Sequence, residues 1–351
     1  MEQARLLLDI SVSSPPSQLS LKFVVAWLLR AVYLRCTARP HLSWMATCNA
    51  MHVAEAIGLH QEFGNMDFLR KRPREIAMKE AVTRRKTFWI AVSLNRLFSV
   101  EYGRSPVQLA SISCSSLEKI EGDSDLTAHF VTLCQLLPRN NHDPRKLVEE
   151  KDDLVVALQR LADLSTQQPP FALLRAEICF CIFRKMRFLH LPLTRPQAEA
   201  VTSIIQAGLF EAQSLSSTLS KWWSVISVPF HSVGILIAID TLGSLRLLAN
   251  AMEALQSVVR AYDTHLAREA LQTAEQLVRG CHAKKMKGAS SVGQALDVVS
   301  NGKGEHEEER DVQPVQEMQL SFDWPSDNES GWMEVFFNTE CLFEMDSVTD
   351  K

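Results

Sequence analysis

A chain of 351 residues with 46% hydrophobic content can build one large or two ordinary cores, which excludes a wholly disordered protein. Three Tyr, 13 Gly and few alternating β-branched runs argue against a sheet protein, so the expected fold is all-α. The net charge of −4 hides an asymmetry: residues 304–351 carry −12 and residues 1–303 carry +8, a mildly basic body with an acidic tail.

Residues 1–20 read as an N-terminal linker, with Pro15 and Pro16 in a Ser-rich stretch. The start has no basic region and carries Glu2 and Asp9, so no secretory signal is expected. Leu21 to Cys36 predicts a helix with Lys22, Arg30 and Arg35 on its polar side. Pro40 opens a second helix and Gly58 closes it as a C-terminal cap. Pro73 opens the longest signal, which meets no breaker before Gly103; its 28 residues from Glu75 to Tyr102 span about 42 Å. Ile76, Met78, Val82, Phe88, Trp89, Val92, Leu97 and Phe98 cover more than one stripe, the mark of a helix buried in a helical core.

Residues of this third helix and its approach carry a family resemblance. Gly58-Leu59-His60 ends the second helix; Arg84, Arg85, Phe88 and Trp89 follow, then Asn95, Arg96, and a Gly103-Arg104 turn closed by Pro106. Together they resemble the regulatory (middle homology) domain of fungal zinc-cluster transcription factors over about residues 20–110. Two departures are Asn95, where the family commonly has Asp, and Ser105 before Pro106. The resemblance implies a structural role for the motif. An Asp at position 95 would give Arg96 or a neighbouring Arg a charged partner, so weaker ion pairing is expected in this chain.

Beyond a polar loop at 114–124, helices are predicted over 126–137, 145–165, 171–190, 196–219, about 233–254 and about 257–281. The stretch Val225 to Gly243 is too interrupted, by Pro229, His231 and Asp240, to span a membrane. One helical domain is thus expected over residues 21–283. From Lys284 the composition turns to Ser, Gly, Asn and Glu, predicting a disordered linker over 284–317. Residues 318–351 then interleave Phe322, Trp324, Trp332, Phe336, Phe337 and Phe343 with acids, the composition of an activation segment. Charge repulsion keeps such aromatics in water until a coactivator groove captures them as an induced helix.

The eight cysteines, Cys36, Cys48, Cys114, Cys134, Cys179, Cys181, Cys281 and Cys341, include no Cys-x-x-Cys pair, which favours reduced core thiols. The family's DNA-binding module is a binuclear zinc cluster, and its closely spaced cysteines do not occur in this sequence. No metal or cofactor site is expected here. Cys179 and Cys181, two apart on a helix, point to different faces, and His52, Glu55 and His60 lack a fourth partner. Glu149, Glu150, Asp152 and Asp153 are the one carboxylate cluster; flanked by Lys146 and Lys151, they read as a solvated helix face. A helical metal-dependent enzyme or metabolite-binding protein is the competing reading, and it would rest on Asp152 and Asp153. Ten basic residues against three acids between Arg70 and Arg104 suggest either a nucleic-acid patch or arginines paired with acids of neighbouring helices.

The resemblance implies a nuclear regulator of RNA polymerase II genes, without enzymatic activity. Its genes would be a secondary-metabolite cluster or secreted-enzyme programme. The implied partners are the transcription machinery or a coactivator through the tail, and a second copy or a DNA-binding factor through the body. DNA would be reached through a module encoded upstream of Met1 or through that partner.

Overall fold

A computed structural model of the chain describes Leu8 and residues 19–37, 39–62, 74–117, 126–139, 147–164, 168–220 and 223–301. The acidic-aromatic segment 318–351, residues 302–317 and most of the N-terminal linker lie outside the described residues. Ten α-helices and no strand are found among the described residues. Among the described residues they form two compact units where the sequence predicts one domain: the first takes in those up to Leu191 together with Trp223, and the second Pro192–Ser220 with residues 224–301.

The first unit contains α1 (Leu21–Cys36), α2 (Pro40–Ala56), α3 (Arg74–Glu101), α4 (Leu126–Gln135), α5 (Leu147–Asp163) and α6 (Pro169–Phe188). Proline sits at the start of α2, where its missing N–H would have been unbonded in any case. The helices α1 and α2 pack closely, and small residues make this approach feasible: Ala31 of α1 and Ala46, Ala50 and Ala54 of α2 are buried. Ser43 is buried at the same contact and donates its hydroxyl to the Ala31 carbonyl, 2.7 Å away. The long helix α3 packs on this pair through its later turns, where Phe88 and Phe98 are almost fully enclosed. Its first turns differ from the expectation of burial, since Ile76, Met78 and Val82 are exposed among the described residues. On α6, Leu173, Ile178, Phe180, Ile182 and Phe183 are all buried, as an apolar sequence around the whole girth requires.

The second unit contains α7 (Arg195–Ser217), α8 (Ser224–Ile239), α9 (Leu242–Tyr262) and α10 (His265–Asn301). Here the sequence reading of helices at 233–254 and 257–281 is corrected. Asp240 takes a positive φ of 53° and ends α8, and Asp263, at φ 43°, ends α9 in the left-handed region. Thr241 and Ser244 then close a reciprocal capping box at the start of α9: the Ser244 amide donates to the Thr241 hydroxyl at 3.1 Å, and the Thr241 amide to the Ser244 hydroxyl at 2.9 Å. Apolar periodicity runs across both junctions and conceals them; short polar side chains that satisfy helix ends decide the break. The largely apolar α8 is buried along almost its whole length against α7, α9 and α10. A second correction concerns residues 284–301, assigned to a disordered linker but forming the continuation of α10.

Candidate functional site

The family-like residues converge on α3, and the structure assigns most of them to joining it to its neighbours. Gly58 and Gly103 have φ of 68° and 63°, a region that L side chains avoid. Each stands two residues past the last residue of its helix, just after the capping position. The Leu59 amide donates back to the Ala54 carbonyl at 2.8 Å and the Gly58 amide to Glu55 at 2.9 Å; after α3, Arg104 N donates to Ser99 O at 2.7 Å. Both glycines therefore close their helices by the same Schellman arrangement, which satisfies carbonyls a helix end leaves open.

At the Gly58 end, the chain after α2 receives a returning loop. The His60 carbonyl accepts the amides of Ser113 and Cys114, each at 3.0 Å. Glu62 lies between α3 and that loop: one carboxylate oxygen accepts Arg85 Nη2 at 2.8 Å, the other the Ser115 amide at 2.8 Å and hydroxyl at 2.5 Å. The two Ser115 hydrogen bonds, helped by Arg85, lower the Glu62 pKa to about 2. Trp89 donates its indole N–H to the Ser115 carbonyl at 2.8 Å, so its ring covers the loop half-buried, while the adjacent Phe88 occupies the core. Glu62 and Ser115, absent from the sequence reading, are thus the centre of the clasp that Arg85 and Trp89 complete.

Asn95 is buried where α2, α3 and the turn after Gly103 meet. Its Nδ2 donates to the Thr47 hydroxyl at 3.1 Å, and its Oδ1 accepts the Val107 amide at 2.8 Å. Both halves of the amide are used, so Asn fits this position without a charged partner. Arg96 does not face it, as consecutive helical residues project in different directions; the proposed pairing of Arg96 with a side chain at position 95 is therefore replaced. Arg96 donates to the Leu137 carbonyl just past α4, and Arg84 to Ile57 O, the capping residue just past α2, at 2.9 Å. Arg175 does the same in the last turn of α5, reaching Leu161 O at 2.8 Å and Ala162 O at 2.7 Å. Three arginines thus cap the C-terminal ends of neighbouring helices, where the dipole is negative. Arg85, paired with Glu62, follows the expected pairing with an acid. Burial lowers the pKa of Arg84, Arg96 and Arg175.

A second polar centre forms around Arg35, which the sequence places on the polar side of α1. Arg35 is 7% exposed and lies between Glu101, 10% exposed, at 2.8 Å and Glu177, 8% exposed, at 3.0 Å. Its guanidinium also lies 5.0 Å from the Phe98 ring centroid. The cluster joins α1, α3 and α6. Burial opposes the charge on Arg35, but the two carboxylates outweigh it and raise its pKa; burial raises that of Glu101, with Arg35 resisting. No periodicity or motif signals this triad, because its members are 66 and 142 residues apart in the chain.

The carboxylates on α5 do not converge. Glu149, Asp152 and Asp153 are exposed, while Glu150, read as solvated, is buried and pairs with Lys185 at 3.1 Å. The described cysteines do not fit a zinc cluster. Cys134, Cys179 and Cys181 are buried, and burial raises their thiol pKa, that of Cys179 to about 12, so the thiolate a metal needs is disfavoured. No group of three or more His, Cys, Asp or Glu able to hold a metal ion occurs among the described residues. No described helix is long and apolar enough to cross a membrane.

The matching region now coincides with this architecture: residues 3–175 match the fungal specific transcription factor domain. That part of the chain belongs to this family. The fungal transcription factor domain therefore takes in α1 to α5 and the start of α6, all in the first unit. Beyond it, the chain is similar to Protein RDR1 of Saccharomyces cerevisiae, 34% identical over 281 residues, covering 79% of this chain and 50% of that protein. Transcription factor kojR of Aspergillus flavus is 32% identical over 265 residues, with 76% and 47% covered. A probable transcriptional repressor of Schizosaccharomyces pombe is 25% identical over 206 residues, covering 58% and 42%. The chain spans about half the length of these curated relatives. No solved structure matches it.

Proposed function

We propose that this chain is the regulatory part of a fungal regulator of RNA polymerase II genes. It acts in the nucleus, carries out no chemistry and needs no cofactor of its own. The observation that supports this is the domain match over residues 3–175, in a region whose distinctive polar side chains mostly tie helices and loops together. Arg84, Arg85, Asn95 and the Arg35 triad are occupied in joining helices and loops, which suits a rigid scaffold. The relatives named as transcription factors and as a repressor both fit a regulator, and they leave the sign of regulation to the tail. The tail would recruit a coactivator or the general machinery. The body would associate with a second copy or a DNA-binding factor, and the genes controlled would form a secondary-metabolite cluster or secreted-enzyme programme.

The tail supplies the test. Residues 318–351, fused to an unrelated DNA-binding domain in yeast, are expected to activate a reporter, and Ala at Trp332, Phe336 and Phe337 is expected to remove most of that activity. These three fall at i, i+4 and i+5, one apolar face of an induced helix. Neutralising Asp323, Asp327 and Glu329 is expected to reduce it less, since the charges mainly keep the aromatics solvated. A well-expressed but inert fusion would assign the chain to repression or to a partner role instead.

A further inference from the structure

A cleft of about 190 Å³ opens in the first unit between α3, the chain just past α4, and α5. Three arginines from these three elements line it: Arg96, Arg139 and Arg160. Arg96 spends one N–H group on Leu137 O. Among the described residues, neither Arg139 nor Arg160 has a carboxylate partner, and the other N–H groups of Arg96 have no acceptor. Glu150 also lines the cleft, but Lys185 at 3.1 Å neutralises it, leaving Asp153 as the one opposing charge and a local balance of about +2. Arg96 is half-buried, and its charge is disfavoured first by that burial and then by the nearby Arg139. The remaining wall is apolar, made by Leu137, Leu154 and Val156. Guanidinium groups crowded at a half-buried surface repel one another unless an anion lies between them, and their planar forks match carboxylate oxygens.

We propose that this cleft binds a small organic dicarboxylate, whose two carboxylates lie among Arg96, Arg139 and Arg160 and whose carbon chain lies on Leu137, Leu154 and Val156. The volume is below the roughly 300–1,000 Å³ of pockets for drug-sized ligands, so a compact metabolite fits. Since Arg96 caps the chain past α4, a ligand there would tighten the contact between α3, α4 and α5. This inference uses only the first unit and does not depend on what the tail does.

The test is calorimetric titration of the full chain with succinate at fixed ionic strength, with neutral succinamide and inorganic phosphate as separate arms. Saturable succinate binding without succinamide binding is expected. Arg139→Gln with Arg160→Gln is expected to weaken it about tenfold or more, the loss of charge-assisted hydrogen bonds. Because both side chains are exposed and Arg139 opposes the charge on Arg96, the unliganded double variant should unfold close to the parent midpoint. Arg195→Gln with Arg268→Gln removes the same charge from exposed positions in the second unit and should leave binding unchanged. Absence of saturable succinate binding, binding of phosphate alone, or a smaller loss in the Arg139/Arg160 variant would each overturn the assignment.

Discussion

Replacing Arg35 with Met tests the energetic reading of the first unit most directly. Met preserves the length and part of the contact with Phe98, but it leaves Glu101 and Glu177 without the guanidinium that approaches both within 3.0 Å. Two carboxylates at most 10% exposed then share a pocket without a counter-charge, and removing one partner of such a buried pair costs about 3–5 kcal/mol. That is a large part of the 5–15 kcal/mol that typically holds a domain. Urea denaturation followed by far-UV circular dichroism would measure it, with Arg195→Met as reference. Arg195 pairs with Glu199 at 89% and 69% exposure, and breaking an exposed pair of this kind costs roughly 0.3–0.5 kcal/mol. Adding Glu101→Gln and Glu177→Gln to Arg35→Met should recover much of the loss, as neutral amides tolerate burial better than carboxylates. The pH dependence follows a fixed sign. Burial already raises Glu101 in the parent; without Arg35 the folded state binds protons more tightly than the unfolded chain, so the variant should regain stability as pH falls toward 5. A loss below about 1 kcal/mol at pH 7, equal to that of an exposed pair, would refute the reasoning.

Phe88→Ala should destabilise by about 3–5 kcal/mol as a core truncation, and Trp89→Ala by clearly less, since Trp89 is half-buried over the Ser115 loop; equal losses in denaturant midpoints would contradict the burial. Glu62, held near pKa 2 against about 4.3 in an unfolded chain, contributes stability above the unfolded value that is lost as pH falls from about 4.5 toward 2. The Trp89 indole N–H resonance should shift across that window and stay flat in Glu62→Gln. Gly103→Ala should cost about 1–2 kcal/mol through its φ of 63° alone, since an added Cβ there meets nothing within 4 Å. Gly280→Ala, equally open but inside α10, should instead stabilise by roughly 0.5–1 kcal/mol in the same denaturation assay.

Much of the first unit was legible in the chain. Leu21–Cys36 has the predicted helix limits, and α3 has the predicted 28 residues, because proline starts, glycine stops and apolar periodicity are local signals. Gly58 and Gly103 were readable for the same reason, since a left-handed turn asks for glycine wherever it occurs. Boundaries that depended on Asp240 and Asp263 were hidden, because the apolar periodicity runs on across the short polar residues that end these helices. Charge roles were the least legible. Arg35 looks like one more basic residue on a polar face until α6 brings Glu177 to it, and Arg84 and Arg96 look like candidates for pairing with acids until folding sets the ends of other helices beside them. Pattern along the chain carries information about backbone conformation, which neighbours within a few residues control. The partner of a long, charged side chain is selected by packing between distant segments, and this made the triad and the arginine-lined cleft visible only in three dimensions.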